Sequence, residues 1–211
     1  MKVKLCGFTT KSSLESAVAQ KCDFLGFIFY EKSPRFITPQ KAKEISLAVP
    51  QSIARVAVVV DADFKYLEEI AADFAPDFFQ FHGSETCEFL KKAREKFPKI
   101  KIIKAFKIES ASDLTRVKDF ENYADLFLFD GKVAGSGEAF DWKILQNFNC
   151  KKDWFLSGGL NVENVEEALK ITGANMIDIS SGIEKTRGEK SSELIEEFMK
   201  KAKPKKQNLC S

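Results

Sequence analysis

Trp154–Gly182 reads WFLSGGLNVENVEEALKITGANMIDISSG, and this stretch decides the fold. A short apolar run, Trp154–Leu156, stops at Ser157-Gly158-Gly159. Val162–Ile171 then repeats apolar residues three and four apart, the period of an amphipathic helix. A second apolar run, Met176–Ile179, stops at Ser180-Ser181-Gly182. Strand, helix and strand in that order imply parallel strands joined by a right-handed crossover.

The same alternation runs outward to the N-terminus. Apolar runs at Val3–Cys6, Phe24–Phe29, Ala54–Val60, Phe78–Phe81, Ile100–Phe106 and Leu126–Phe129 complete a set of eight. Helical periodicity follows at Leu14–Gln20, Lys41–Ala48, Leu67–Phe74 and Glu88–Phe97, and weakens over Lys107–Tyr123, where an irregular fifth connection is expected. Eight units of about 26 residues predict a small single-domain α/β fold, the (β/α)8 TIM barrel, over residues 1–203. An open doubly wound sheet is the rival, but no GxGxxG follows the first strand. The basic tail 204–211, with Pro204, is expected to fray.

Composition narrows the function. The 211 residues carry a net charge of +2 with acids and bases interspersed, which gives no reason to expect nucleic acid or a membrane surface as partner. MKVKLCGFTT lacks the apolar run of a signal peptide, so a cytoplasmic protein is expected. The five cysteines, Cys6, Cys22, Cys87, Cys150 and Cys210, form no CxxC and read as free thiols. With His82 the single histidine and no second ligand at helical spacing, metal independence is expected.

In a barrel, chemistry gathers at strand C-termini and the loops after them. That rule selects Cys6, Arg35, Gln80, His82, Asp130 and the glycine turns after strands six, seven and eight. A buried cysteine is ordinarily a small hydrophobe. Here strand alternation groups Lys2, Lys4 and Cys6 on one face, an odd composition for a helix-covered surface. If that face lines the barrel, Lys4 is expected to lower the thiol pKa and make Cys6 a base near neutrality. Asp130 closes LFLFD, and an aspartate there is commonly a turn or cap residue. Its phase with Leu126 and Leu128 aims it at the barrel mouth, where desolvation is expected to raise its pKa and leave a proton to donate. Ser157-Gly158-Gly159 and Ser180-Ser181-Gly182 are each compatible with a plain tight turn. Together, in loops seven and eight, they point to phosphate held by backbone N–H groups. Arg35, in KSPRF, is either a solvated loop residue or a fork for a carboxylate.

KLCGFT (Lys4–Thr9), LGFIFYEKSPRFI (Leu25–Ile37), VAVVVD (Val56–Asp61), FQFHGSE (Phe79–Glu85), KAFKI (Lys104–Ile108), LFLFDGKVAGSGEAFDW (Leu126–Trp142), SGGLNVENV (Ser157–Val165) and IDISSGIE (Ile177–Glu184) form an ordered set. In that order they resemble the phosphoribosylanthranilate isomerase family of tryptophan biosynthesis along almost the whole chain. The resemblance implies an Amadori rearrangement of N-(5′-phosphoribosyl)anthranilate, with Asp130 as general acid and Cys6 as general base. It implies Arg35 at the anthranilate carboxylate, Gln80, His82 and Asp178 lining the pocket, and phosphate on Gly158, Gly159, Ser181 and Gly182 with Gly135 and Gly137 at the rim. It implies no cofactor, and a small phosphoribosyl substrate as partner of a monomer or homodimer. The chain departs from the family pattern at Ala134 (usually glycine), Ser157 (often alanine), Arg187 (usually proline) and Ser191 (usually aspartate).

Related phosphosugar barrels are weaker matches. A pentose-phosphate epimerase calls for metal ligands, and the histidine-pathway isomerase resembles the chain in chemistry but has aspartate where Cys6 stands and a second phosphate site. Indole-glycerol-phosphate synthase calls for a lysine and glutamate set not found in order. A phosphometabolite sensor needs neither an acid nor a base.

Overall fold

The computed structural model describes residues 1–131 and 140–203. Eight parallel strands close into a barrel in sequence order: β1 (Lys2–Cys6), β2 (Phe24–Ile28), β3 (Ala54–Val59), β4 (Phe78–Phe81), β5 (Lys101–Lys107), β6 (Leu126–Asp130), β7 (Trp154–Leu156) and β8 (Met176–Ile179). Each lies within one residue of the boundaries read from the apolar runs. The ring closes where β1 pairs with β8, Lys4 opposite Asp178.

Alternation sorts every strand into two faces. Val3, Leu5, Phe79, Phe81, Phe127, Phe129 and Ile177 point outward into one continuous core beneath the helices. Phe24, Val56, Phe78, Ile103, Leu128, Phe155 and Met176 point inward with Cys6 and form a second, smaller core inside the ring. Phe24 meets Phe78 and Phe155 edge-on at 5.7 and 5.1 Å, closing the lower barrel with aromatic rings. The interior is therefore a packed plug below and polar above, where Lys4, Gln80, Asp130 and Asp178 are all buried.

Helices start at capping residues rather than at the first apolar residue. Thr38, Asp63 and Thr86 accept the N–H of Lys41, Tyr66 and Phe89, fixing α2 (Pro39–Ser46), α3 (Phe64–Asp73) and α4 (Cys87–Lys96). Periodicity alone located these starts one to three residues late, as it did for α1 (Lys11–Ala19). It located α5 (Val165–Thr172) early, because Asn161 and Asn164 bond each other and the Gly159 carbonyl and hold a turn there. The fifth connection is irregular as expected, a 3-10 stretch over Ala111–Phe120 opened by a Ser110–Asp113 capping box. The sixth holds a 3-10 turn, Trp142–Leu145, among the described residues.

After β8 the chain makes one 3-10 turn, Ser181–Ile183, and then a small hairpin of β9 (Glu184–Thr186) and β10 (Glu189–Lys190). The last helix, α6 (Ser192–Ala202), begins where Ser191 accepts the Leu194 N–H. Ser191 thus keeps the capping function that aspartate would have served. Among the described residues no helix is long and apolar enough to cross a membrane.

Candidate active site

A cavity of about 340 Å³ opens at the C-terminal end of the barrel, where every chemically suggestive strand terminus converges. Cys6, Arg35, Gln80, His82, Asp130, Asp178, Gly158, Gly159 and Ser181 all line it. Gly182 does not. A Cβ on Gly182 would lie 2.1 Å from the Leu160 carbonyl, so this glycine packs loop eight against loop seven. Gly135, Gly137 and Ala134 lie outside the described residues. Loop eight leads into a single 3-10 turn, Ser181–Ile183.

Cys6 projects inward opposite Gly26 of β2. Any Cβ on Gly26 would fall 2.5 Å from the sulfur, so the glycine is what makes room for the thiol. Beside it Lys4, with no exposed surface, donates to Asp178 Oδ1 at 2.8 Å, and Ser157 Oγ donates to Asp178 Oδ2 at 3.3 Å. Asp178 holds Lys4 protonated despite burial, which alone would lower its pKa.

The expected depression of the thiol is corrected by the structure. Burial is the largest influence on Cys6 and raises its pKa; Lys4 and Lys190 pull down, Asp178 pushes up, and the net shift is upward. A pKa above the ordinary 9.0 makes Cys6 a neutral thiol near pH 7.

Asp130 lies three strands round the ring from Cys6. Its Oδ1 accepts the Gly131 N–H at 2.9 Å, and its Oδ2 stands 3.2 Å from His82 Nε2. The Gln80 amide lies 3.2 Å from His82 Nδ1; donating there, it places the ring proton on Nε2, toward Asp130. Gln80 Oε1 is buried without a hydrogen-bond partner among the described residues and is available to a ligand, and the His82 Nε2–Asp130 approach is close but does not form an aligned hydrogen bond.

Loop seven turns on two left-handed glycines, Gly158 at φ +86° and Gly159 at +67°. A Cβ on Gly158 would lie 2.6 Å from the Gly131 nitrogen and 2.9 Å from Asp130 Oδ1, so loops six and seven touch backbone to backbone. The resulting cradle of N–H groups suits an anion.

Arg35 is buried rather than solvated. Its Nε and one Nη reach Glu184 at 2.6 and 2.8 Å, and Lys190 reaches the same carboxylate at 2.7 Å. Burial raises the Glu184 carboxyl, but Arg35, Lys190 and the Gly188 N–H outweigh it and hold its pKa at about 2. Glu184 and Lys190 were not singled out from the sequence. Glu184 closes the quoted IDISSGIE, but no local spacing signals a partner 149 residues away.

Comparison with known proteins follows this geometry. A family model described as N-(5′-phosphoribosyl)anthranilate (PRA) isomerase matches residues 3–201. Proteins named N-(5′-phosphoribosyl)anthranilate isomerase from Zymomonas mobilis and Brucella canis are 38% and 42% identical. The alignments cover 94% of this chain in both cases, and 96% and 92% of those proteins. The crystal structure of phosphoribosyl anthranilate isomerase from Thermotoga maritima superposes with a TM-score of 0.88 at 32% identity, covering 96% of this chain and 98% of that one. A structure of such an isomerase in complex with reduced 1-(o-carboxyphenylamino)-1-deoxyribulose 5-phosphate superposes at 0.84, with the same identity and coverage.

Proposed function

Because the chain belongs to the N-(5′-phosphoribosyl)anthranilate isomerase family, we propose that its cavity converts N-(5′-phosphoribosyl)anthranilate to 1-(2-carboxyphenylamino)-1-deoxy-D-ribulose 5-phosphate, with Asp130 as acid and Cys6 as base. The observation that carries the reading is the convergence of a carboxyl, a thiol, a glycine cradle and a buried arginine on one cavity. Asp130 protonates the ribose ring oxygen, the C–O bond opens, and an iminium forms at the first sugar carbon. Cys6 as thiolate takes the proton from the second carbon, giving an enolamine. The Asp130 carboxylate takes back the enol hydroxyl proton and the Cys6 thiol returns its proton to the first carbon, so both groups are regenerated and the product is an isomer of the substrate.

The raised thiol pKa sets an order on these steps. A neutral thiol is a poor base, but the iminium created by ring opening is a positive charge next to it and favours loss of the thiol proton to solvent. Acid catalysis at Asp130 therefore prepares the base at Cys6. Gly158, Gly159 and Ser181 hold the phosphate, Arg35 meets the carboxylate, and Gln80 Oε1 accepts from a sugar hydroxyl.

The test is the loss of substrate fluorescence with purified protein in excess chelator. Rapid decay is expected in the wild type, slowed at least a hundredfold in Cys6→Ser and in Asp130→Asn, the scale of losing a general base or acid. Near-normal turnover in either variant removes that residue from the mechanism.

A further inference from the structure

We propose that Arg187, at the tip of the β9–β10 hairpin, contacts the substrate carboxylate together with Arg35; this rests on the isomerase reading. Arg187 lines the cavity. The hairpin that carries it is fastened to loop two. Gly188, at φ +90°, donates its N–H to Glu184 Oε2 at 3.0 Å, and a Cβ there would lie 2.9 Å from the Pro34 carbonyl. Pro34 is the residue before Arg35, so the two arginines stand on backbones in direct contact.

Charge balance separates their roles. Arg35 and Lys190 share the single Glu184 carboxylate, which takes the Arg35 Nε–H and one Nη–H and so fixes the guanidinium in place. Lys190 is turned away from the cavity toward Ser180 and Glu184. On the hairpin Lys185 pairs with Glu189 at 2.7 Å, and Thr186 also bonds Glu189. Arg187 has no ion pair or hydrogen bond among the described residues, so none of them competes for its guanidinium.

The cavity also holds Asp130 and Asp178, the latter paired with Lys4. A ligand carboxylate entering there is best met by a cation that no protein carboxylate engages. Arg187 supplies it, while Arg35 supplies fixed hydrogen-bond geometry from its remaining edge.

The experiment compares two inhibitors on the full chain: the reduced 1-(2-carboxyphenylamino)-1-deoxyribulose 5-phosphate and its counterpart without the carboxylate. Arg187→Ala is expected to weaken the first about 5- to 20-fold, a charge-assisted contact discounted for an exposed arginine, and to leave the second within twofold. The Michaelis constant rises in step with kcat little changed, and Arg187→Lys recovers part of the loss. Equal weakening of both inhibitors, or of neither, overturns the assignment. If the wild type turns the substrate over while Arg187→Ala binds normally, this inference alone falls. A wild type that neither turns over substrate nor binds either inhibitor removes the isomerase reading beneath it.

Discussion

Replacing Lys4 by methionine tests how the barrel controls its base. Methionine keeps length and apolar bulk but removes the charge, leaving Asp178 buried with only the Ser157 hydroxyl at 3.3 Å. Breaking one side of a buried ion pair costs about 3–5 kcal/mol, because the remaining charge loses its partner. Set against a total of about 5–15 kcal/mol, that is a large share of the stability. At roughly 2–4 °C per kcal/mol for a chain of this size, the melting temperature falls by about 6–20 °C. The thiol responds too. An opposite charge in contact is worth about 1–3 pKa units, so the thiolate fraction at fixed pH drops about ten- to a thousandfold. The sign follows from burial: the Cys6 pKa is already raised, so thiolate appears only as pH climbs past the ordinary value of 9.0, and Lys4→Met moves that point higher. Alkylation by iodoacetamide, followed at the Cys6 peptide across pH, reads this directly. Adding Asp178→Asn removes the stranded charge and is expected to recover the melting temperature while turnover stays low. An alkylation midpoint that stays put or moves down in Lys4→Met, with wild-type turnover, refutes the reasoning.

Two further substitutions probe the loops. A carboxyl held at about 2 contributes stability that is complete above its ordinary value of 4.5 and is lost as pH falls through the folded value. Glu184→Gln should therefore melt below the wild type at pH 7, with the gap closing as pH falls from 4.5 toward 2. It should raise the Michaelis constant more than it lowers kcat, since Arg35 loses its brace; a gap independent of pH argues that Glu184 acts by packing alone. Gly158→Ala forces a side chain onto a φ of +86° and pushes it against the Gly131 nitrogen and Asp130 Oδ1. The expected result is a fall in kcat of about ten- to a hundredfold, the range over which a misplaced acid loses its contribution. Unchanged kinetics with a lowered melting temperature mean the turn shifts without moving Asp130.

Strand phase made most of the site legible in the sequence. Cys6 and Asp130 are read from their phase, and Gln80 from its place at a strand end; Asp178 enters only through the resemblance, although it shares the inward phase of Met176 as Gln80 shares that of Phe78 and Asp130 that of Leu128. The Arg35–Glu184–Lys190 cluster was not legible. Its hairpin strands are three and two residues long, too short for a period, and the arginine and glutamate meet only because the barrel closes. Gly26 likewise reads as an ordinary strand glycine until β1 and β2 come into register opposite the sulfur.

The sign of the Cys6 shift escaped the sequence for a different reason. Adjacency to Lys4 reveals an attraction, but the competing desolvation depends on how completely the ring excludes water, and Asp178 has already claimed part of the lysine's charge. Two opposing influences cannot be ranked from spacing. The ranking matters to function. A thiol kept neutral in the closed barrel is a poor nucleophile toward stray electrophiles, and under the proposed mechanism it becomes a base when a cation forms on the substrate next to it. Lys4 favours the thiolate in that scheme but does not produce it alone. A site that had simply depressed the thiol would stand ionised without substrate, and its reactivity would no longer depend on the ring-opening step at Asp130.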